Sequence, residues 1–123
     1  MAYVDGFVLS VKKSKVKEYK KIAQGAGKVW MKYGALQYLE CKGDDLNHDA
    51  GGMKVWSFPK MAKAKKDEIV FFSFIIYKSR KHRDQVNAKV MEEMMKDPKL
   101  KDIKMPFDMK RMAYGGFEPI VQY

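Results

Sequence analysis

The chain has few of the residues that cross-link or anchor a protein. Cys41 is the only cysteine among 123 residues, so an intrachain disulfide is impossible and a reducing compartment is the natural setting. The longest apolar run, residues 69–77, is interrupted by Ser73 and is far too short to cross a bilayer. The chain opens without a basic segment or a small-residue cleavage site. We therefore expect a cytoplasmic protein with no membrane partner.

Arginine is also scarce. The net charge is +10, but only Arg80, Arg83 and Arg111 of the 25 basic residues are arginines. Phosphate and base recognition favours arginine's flat, bidentate guanidinium, and the sequence has neither an arginine-rich run nor an aromatic RNA-stacking motif. We therefore interpret the lysines as the solvated faces of two helices and do not favour nucleic acid as a partner. The alternative is a non-catalytic basic module that binds RNA or an acidic partner through lysine-rich helices.

The sequence lacks a Cys/His cluster with metal-ligand spacing and a glycine-rich phosphate loop. We therefore predict that folding needs no metal and no cofactor. With 46% hydrophobic and 33% charged residues, the chain can bury an ordinary core. We predict one domain over residues 1–123.

Apolar periodicity predicts alternating strands and helices of the α+β class. The predicted strands cover 2–11, 35–41, 69–77 and 111–121, with a short extra strand over 53–58. Two helices, over 15–33 and 80–96, begin after Ser14 and Ser79 as N-caps. The order β-α-β-(β)-β-α-β is typical of ferredoxin-like folds and predicts an antiparallel sheet of strand order 4-1-3-2 with both helices on one face. Gly115 and Gly116 suggest a bulge or bend in the last strand.

Both faces of the predicted sheet are apolar. The first set of side chains suits helix packing, because it is small at Gly6 and almost free of polar groups: Val4, Gly6, Val8, Val70, Phe72, Phe74 and Ile76. The opposite side is as apolar but is interrupted by Asp5 and Ser73. A soluble monomer would not leave such a surface in water. We therefore predict a homodimer, a dimeric α+β barrel, whose interface holds Phe7, Leu9, Phe71 and Ile75.

One candidate site lies around Asp5. This residue is either a general base whose pKa is raised by burial or a structural carboxylate hydrogen-bonded to Tyr or Arg. The last strand should run beside the first, so Gly115 and Gly116 would leave a hollow near this carboxylate. Aromatic residues could line a pocket for a flat molecule, and Arg111 could clamp an acidic ligand or form an ordinary ion pair. We do not expect Arg111 to pair with Asp5. The predicted binding residues are Tyr3, Asp5, Tyr77, Arg111, Tyr114 and Phe117, with Trp30 and Trp56 as further aromatic candidates.

Several segments resemble the YbaA-like family of bacterial domains of unknown function. They are YVDGF (3–7), KYGAL (32–36) with Glu40-Cys41, DEIVFFSFI (67–75), YKSRKHRD (77–84) with Asn87, and above all MPFDMKRMAYGGFE (105–118). The resemblance runs almost end to end and implies a dimeric α+β barrel. It also implies a fold related to the antibiotic-biosynthesis monooxygenases and other cofactor-independent enzymes, without supplying an activity.

We therefore expect a cytoplasmic homodimer that binds a small organic molecule between its sheet and its helices. Whether it transforms that molecule, as cofactor-independent enzymes of monooxygenase-like fold do, is left open by the sequence.

Overall fold

The computed structural model describes residues 1–47, 51–52 and 55–123, apart from the side chains of residues 100 and 101. The described elements alternate between strands and helices, as predicted. In chain order they are β1 (Tyr3–Lys12), α1 (Val16–Lys32), β2 (Gln37–Lys42), α2 (Phe58–Met61), β3 (Glu68–Tyr77), α3 (Arg80–Lys96), α4 (Pro98–Lys101) and β4 (Ala113–Phe117). Among these helices none combines the length and the apolar character that crossing a membrane requires.

The four strands form one antiparallel sheet in the order β2-β3-β1-β4, which confirms the predicted topology. The long central pair, β1 with β3, runs from Tyr3 opposite Tyr77 to Lys12 opposite Glu68. Strand β4 pairs with β1 in unbroken register, with Gly116 opposite Asp5. The predicted bulge at the glycine pair is therefore wrong.

The helix boundaries confirm one of the two predicted N-caps. The Ser79 hydroxyl accepts a hydrogen bond of 3.0 Å from the backbone N–H of His82 and caps α3. Gly34, with a φ of +108°, follows α1 and adopts a backbone conformation that few other residues allow. Ser14 does not cap α1, because it lies inside a 3-10 turn, Lys13–Lys15, that precedes the helix.

The predicted extra strand over 53–58 is wrong in its described part. Residues 55–57 are not extended into a strand, and α2 begins at Phe58. The Ser57 hydroxyl caps this short helix, and Pro59 in its first turn has no N–H to lose. Residues 53 and 54 lie outside the described residues.

The helices cover the opposite face of the sheet from the predicted one. Leu9 and Phe71 are buried with Tyr19 and Ala23 of α1, and Ile75 is buried with Val86 and Val90 of α3. Phe7 packs against both clusters. The predicted dimer interface through Phe7, Leu9, Phe71 and Ile75 is therefore wrong, because helices within the same subunit already cover these side chains.

The other side of the sheet, which α1 and α3 leave uncovered, is here called the open face. Phe72 on it is 44% exposed and Phe117 is 62% exposed, and α2 lies at one end with Phe58 edge-on to Phe72. Strand alternation and register place these apolar side chains on the open face: Val4, Val8, Leu39, Phe72, Phe74 and Phe117.

Candidate functional site

A cavity of about 340 Å³ lies between the helix-covered face of the sheet and helices α1 and α3. Its wall is almost entirely apolar, and Glu40 is the one charged side chain among its described lining residues. Four methionines are among its lining residues, and their flexible thioethers adapt to ligands of different shape. The lining includes Leu9, Tyr19, Ala26, Trp30, Tyr38, Glu40, Ser73, Met91, Met94, Met105, Phe107 and Met112.

The polar end of the cavity is a carboxylate held by three hydroxyl groups, here called the Glu40 cluster (Tyr19, Tyr38, Glu40 and Ser73). The Tyr19 hydroxyl donates to Glu40 Oε2 over 2.7 Å, and the Ser73 hydroxyl donates to the same oxygen. The Tyr38 hydroxyl donates to Oε1 over 3.3 Å. The register places Glu40 directly opposite Ser73, so both side chains point to the helix-covered face.

Ring packing fixes the two tyrosines of the Glu40 cluster. Tyr19 contacts Phe71 at 4.9 Å and meets Phe107 edge-on at 5.8 Å between ring centroids. Tyr38 lies over Gly27 of α1, where an added Cβ would come within 2.8 Å of its ring. A glycine in the middle of a helix thus makes room for a ring from the sheet.

The tyrosines of this cluster keep their protons at neutral pH. Burial, followed by the charge of Glu40, raises the pKa of Tyr19 and the pKa of Tyr38 far above the ordinary value of 10.0. Their hydroxyls therefore act as donors toward the carboxylate, which fixes its position at the cavity wall.

A second polar network surrounds Asp5, which is 1% exposed. Arg83 Nη1 donates to Asp5 Oδ1 over 2.8 Å, and Tyr114 donates to the same oxygen over 3.3 Å. Asn87, one turn further along α3, donates to Asp5 Oδ2 over 3.4 Å. Burial, followed by the Asp5 charge, raises the pKa of Tyr77, whose hydroxyl donates to Asn87 Oδ1 over 3.1 Å. Asp5 therefore joins α3 to the sheet, as the structural interpretation of this carboxylate requires.

The structure brings part of the predicted set of binding residues together. The hollow predicted beside Asp5 is filled. Tyr3, Tyr77 and Tyr114 gather near Asp5, and the Arg83 guanidinium lies 4.9 Å from the centre of the Tyr3 ring. An added Cβ on Gly116 would meet the Tyr3 hydroxyl at 2.3 Å, so the Tyr3 side chain fills the space predicted as a hollow. That prediction is wrong, and the proposed binding role of Asp5 loses the space on which it depended.

Other predicted site residues lie elsewhere. Phe117 is on the open face, where its ring packs over Gly6 and Gly115. Trp30 lines the cavity and donates from Nε1 to Asn87 Oδ1 over 3.0 Å, whereas Trp56 is largely exposed.

Arg111 forms an ion pair at the opposite end of β1 from Asp5. Its Nη1 and Nη2 atoms each lie 2.7 Å from a carboxylate oxygen of Glu68, a bidentate geometry. The Glu68 side chain is only 4% exposed. Of the two alternatives for Arg111, a ligand clamp or an ordinary ion pair, the geometry matches the ion pair. As predicted, Arg111 does not pair with Asp5 within the subunit.

This ion pair predicts a pH-dependent stability. Hydrogen bonds from Arg111 lower the pKa of Glu68 from 4.5 to about 2. A carboxyl whose pKa is lower in the folded state stabilises the fold above its unfolded pKa, and this contribution is lost as pH falls through the folded pKa. Urea unfolding of Glu68→Gln should therefore show a loss of up to about 3 kcal/mol at pH 7 that shrinks between pH 4.5 and pH 2.

Glu92→Gln is the matched control, because Glu92 pairs with Lys96 at the surface. It should follow the wild type at every pH. A Glu68→Gln deficit that stays constant from pH 7 to pH 2 would contradict the assignment.

Sequence reasoning missed the residues that carry most of the polar chemistry. In the sequence, Glu40 and Asn87 stand out only within resembling segments, Arg83 only there and as one of three arginines, and Tyr19 and Tyr38 only as members of a predicted helix and a predicted strand. A signal was available in Gly27, since a mid-helix glycine often marks the close approach of another group. Within the described residues no three His, Cys, Asp or Glu side chains converge as metal ligands would.

Comparison with known proteins gives a family and a fold. The model of the family described as a protein of unknown function, DUF1428, matches residues 2–109. The chain is 42% identical over 123 residues to the uncharacterized protein YbaA of Escherichia coli K12, covering 98% of both chains, and equally so to YbaA of Shigella flexneri.

Two solved structures from uncultured marine organisms, each described as a dimeric ferredoxin-like protein, are similar over the whole chain. They have TM-scores of 0.64 and 0.54 at 10% and 13% identity, and this chain covers 100% and 98% of them. Such a likeness establishes a ferredoxin-like α+β fold.

Proposed function

Because this chain belongs to the DUF1428 family of proteins of unknown function, we propose a function from its own geometry: a homodimer that binds a small, mainly apolar organic molecule in each subunit. The ligand lies in the cavity between the sheet and helices α1 and α3. The cytoplasmic location stays a prediction from the single cysteine.

The open face supports the dimer. Its centre carries no charged side chain among the described residues, and its exposed rings would be unfavourable in water. Two such faces related by a two-fold axis would cover each other's exposed apolar side chains. The fold neighbours that share the whole length of this chain are themselves described as dimeric.

The single observation that carries the binding proposal is the apolar cavity that contains one carboxylate, held in place by hydroxyl groups. A volume of about 340 Å³ lies within the range of small-molecule sites. A few fixed polar groups at one end of an apolar wall are the usual way such a site orients its ligand. Ordinary core packing leaves few voids larger than a water molecule.

Filling the cavity should weaken binding strongly. Ala26 lies on the lining of the cavity, so Ala26→Phe places a ring in the space that a ligand would occupy. The probe is N-phenyl-1-naphthylamine, an uncharged apolar dye whose fluorescence rises when it leaves water. We expect saturable binding to the wild type and at least a tenfold weaker affinity in Ala26→Phe, because the ring removes the burial that drives binding.

Ala88→Phe makes the same substitution on the exposed side of α3 and should bind the dye as the wild type does. Equal dye binding by Ala26→Phe and the wild type would overturn the proposal. A salt titration separates the alternative of a basic module: phosphate binding weakens steeply with salt, whereas apolar dye binding barely responds.

A further inference from the structure

The polar end of the cavity points to one class of ligand. Resting on the proposed function, we propose that the molecule bound in this cavity is an organic amine, whose protonated nitrogen binds Glu40 while its apolar body contacts the aromatic and methionine wall.

The first argument is the absence of a cation beside Glu40. Asp5 pairs with Arg83 and Glu68 pairs with Arg111, each within 2.8 Å. In the described part of the chain, no lysine or arginine nitrogen lies within 4.0 Å of the Glu40 carboxylate. A half-buried carboxylate that is stabilised only by neutral hydroxyls still gains from a positive partner.

The second argument is that the donors in the cavity are already used. The hydroxyl protons of Tyr19, Tyr38 and Ser73 are directed to Glu40. The indole N–H of Trp30 is directed to Asn87 and Tyr77. A carboxylate or carbonyl group of a ligand would therefore find no free donor, whereas an ammonium group finds carboxylate and hydroxyl lone pairs.

The third argument is the wall next to the carboxylate. The rings of Trp30 and Tyr38 lie 6.1 Å apart, centroid to centroid, and both line the cavity. Aromatic faces attract cations as well as apolar groups. Lys20 and Lys42 line an adjoining groove that shares Glu40 with the cavity, and both lysines are exposed, so water and salt screen their charge.

The test compares three probes of one shape: 1-naphthylmethylamine, 1-naphthylmethanol and 1-naphthoic acid. Each displaces the bound dye from the folded wild type at neutral pH. We expect the amine to compete about tenfold more strongly than the alcohol, since a charge-assisted hydrogen bond adds roughly that factor. The acid should compete least. An acid that competes as well as the amine would overturn the proposal.

The variant Glu40→Gln keeps the shape of the side chain and removes its charge. The amine should lose its advantage over the alcohol in this variant, with both affinities read against the variant's own dye affinity. Glu18→Gln removes the same charge from the exposed side of α1 and should leave the amine's advantage intact. Circular dichroism establishes that each variant is folded. If Glu40→Gln is not folded, the ratio of amine affinity to acid affinity in the wild type decides the amine proposal.

The two proposals fail in different ways. If the dye does not bind the wild type, or binds equally to Ala26→Phe, both the binding function and the amine are overturned. If the dye binds and Ala26→Phe blocks it, but the amine has no advantage or keeps it in Glu40→Gln, only the amine proposal is overturned.

Discussion

Replacing Phe72 by aspartate is expected to convert the proposed dimer into a monomer. Phe72 lies at the centre of the open face and is 44% exposed in the single subunit. A two-fold axis would place two new carboxylates in an apolar interface, where each unpaired charge costs several kcal/mol. Size-exclusion chromatography with light scattering should give twice 14.3 kDa for the wild type and 14.3 kDa for Phe72→Asp.

Met95→Asp is the matched control, because Met95 is 63% exposed on α3, away from the sheet. It should leave the mass of the dimer unchanged, and circular dichroism should show that both variants keep their folded structure. A wild type that is monomeric at micromolar concentration would contradict the interface, as would a Phe72→Asp protein that is still dimeric.

The strand order and the helices could be predicted from the sequence, because they follow from local periodicity and from short connections. Which face of the sheet the helices cover could not be predicted. Both faces of β1 and β3 are apolar, so hydrophobicity alone does not choose between them. The choice depends on Asp5 and Ser73, which need buried partners that only other elements supply.

A second subunit related by symmetry would bring Asp5 against another apolar sheet, whereas α3 brings Arg83 to it. The face that carries Asp5 and Ser73 therefore packs on the helices of its own chain. The exposed rings of the open face are the surface of the proposed dimer.

The residues of the candidate site could not be predicted from the sequence. The sequence predicts a pocket between sheet and helices, but it places the helices on the other face of the sheet and the chemistry at Asp5. Glu40 becomes a site residue only because β2 pairs with β3 in the register that sets it opposite Ser73. That register and the approach of Tyr19 from α1 depend on tertiary packing, which no local sequence pattern predicts.

Replacing Asp5 by asparagine is expected to destabilise the fold strongly. The variant keeps the volume of the side chain but leaves the Arg83 guanidinium, held between β1 and α3, without its anion. Breaking one side of a buried ion pair costs about 3 kcal/mol or more. Urea unfolding at neutral pH should therefore show a decrease of about that size in the free energy of unfolding.

Asp84→Asn is the matched control for this change, since Asp84 contacts the same arginine through Nε at 2.8 Å but is 61% exposed. It should change stability little, because surface pairs contribute little. The double variant Asp5→Leu with Arg83→Met should recover part of the loss, as apolar replacement of both partners removes the unpaired charge. Asp5 does not line the cavity, so folded Asp5→Asn protein should bind the naphthylamine dye as the wild type does. Unchanged stability together with lost dye binding would return Asp5 to the binding site and contradict its structural role.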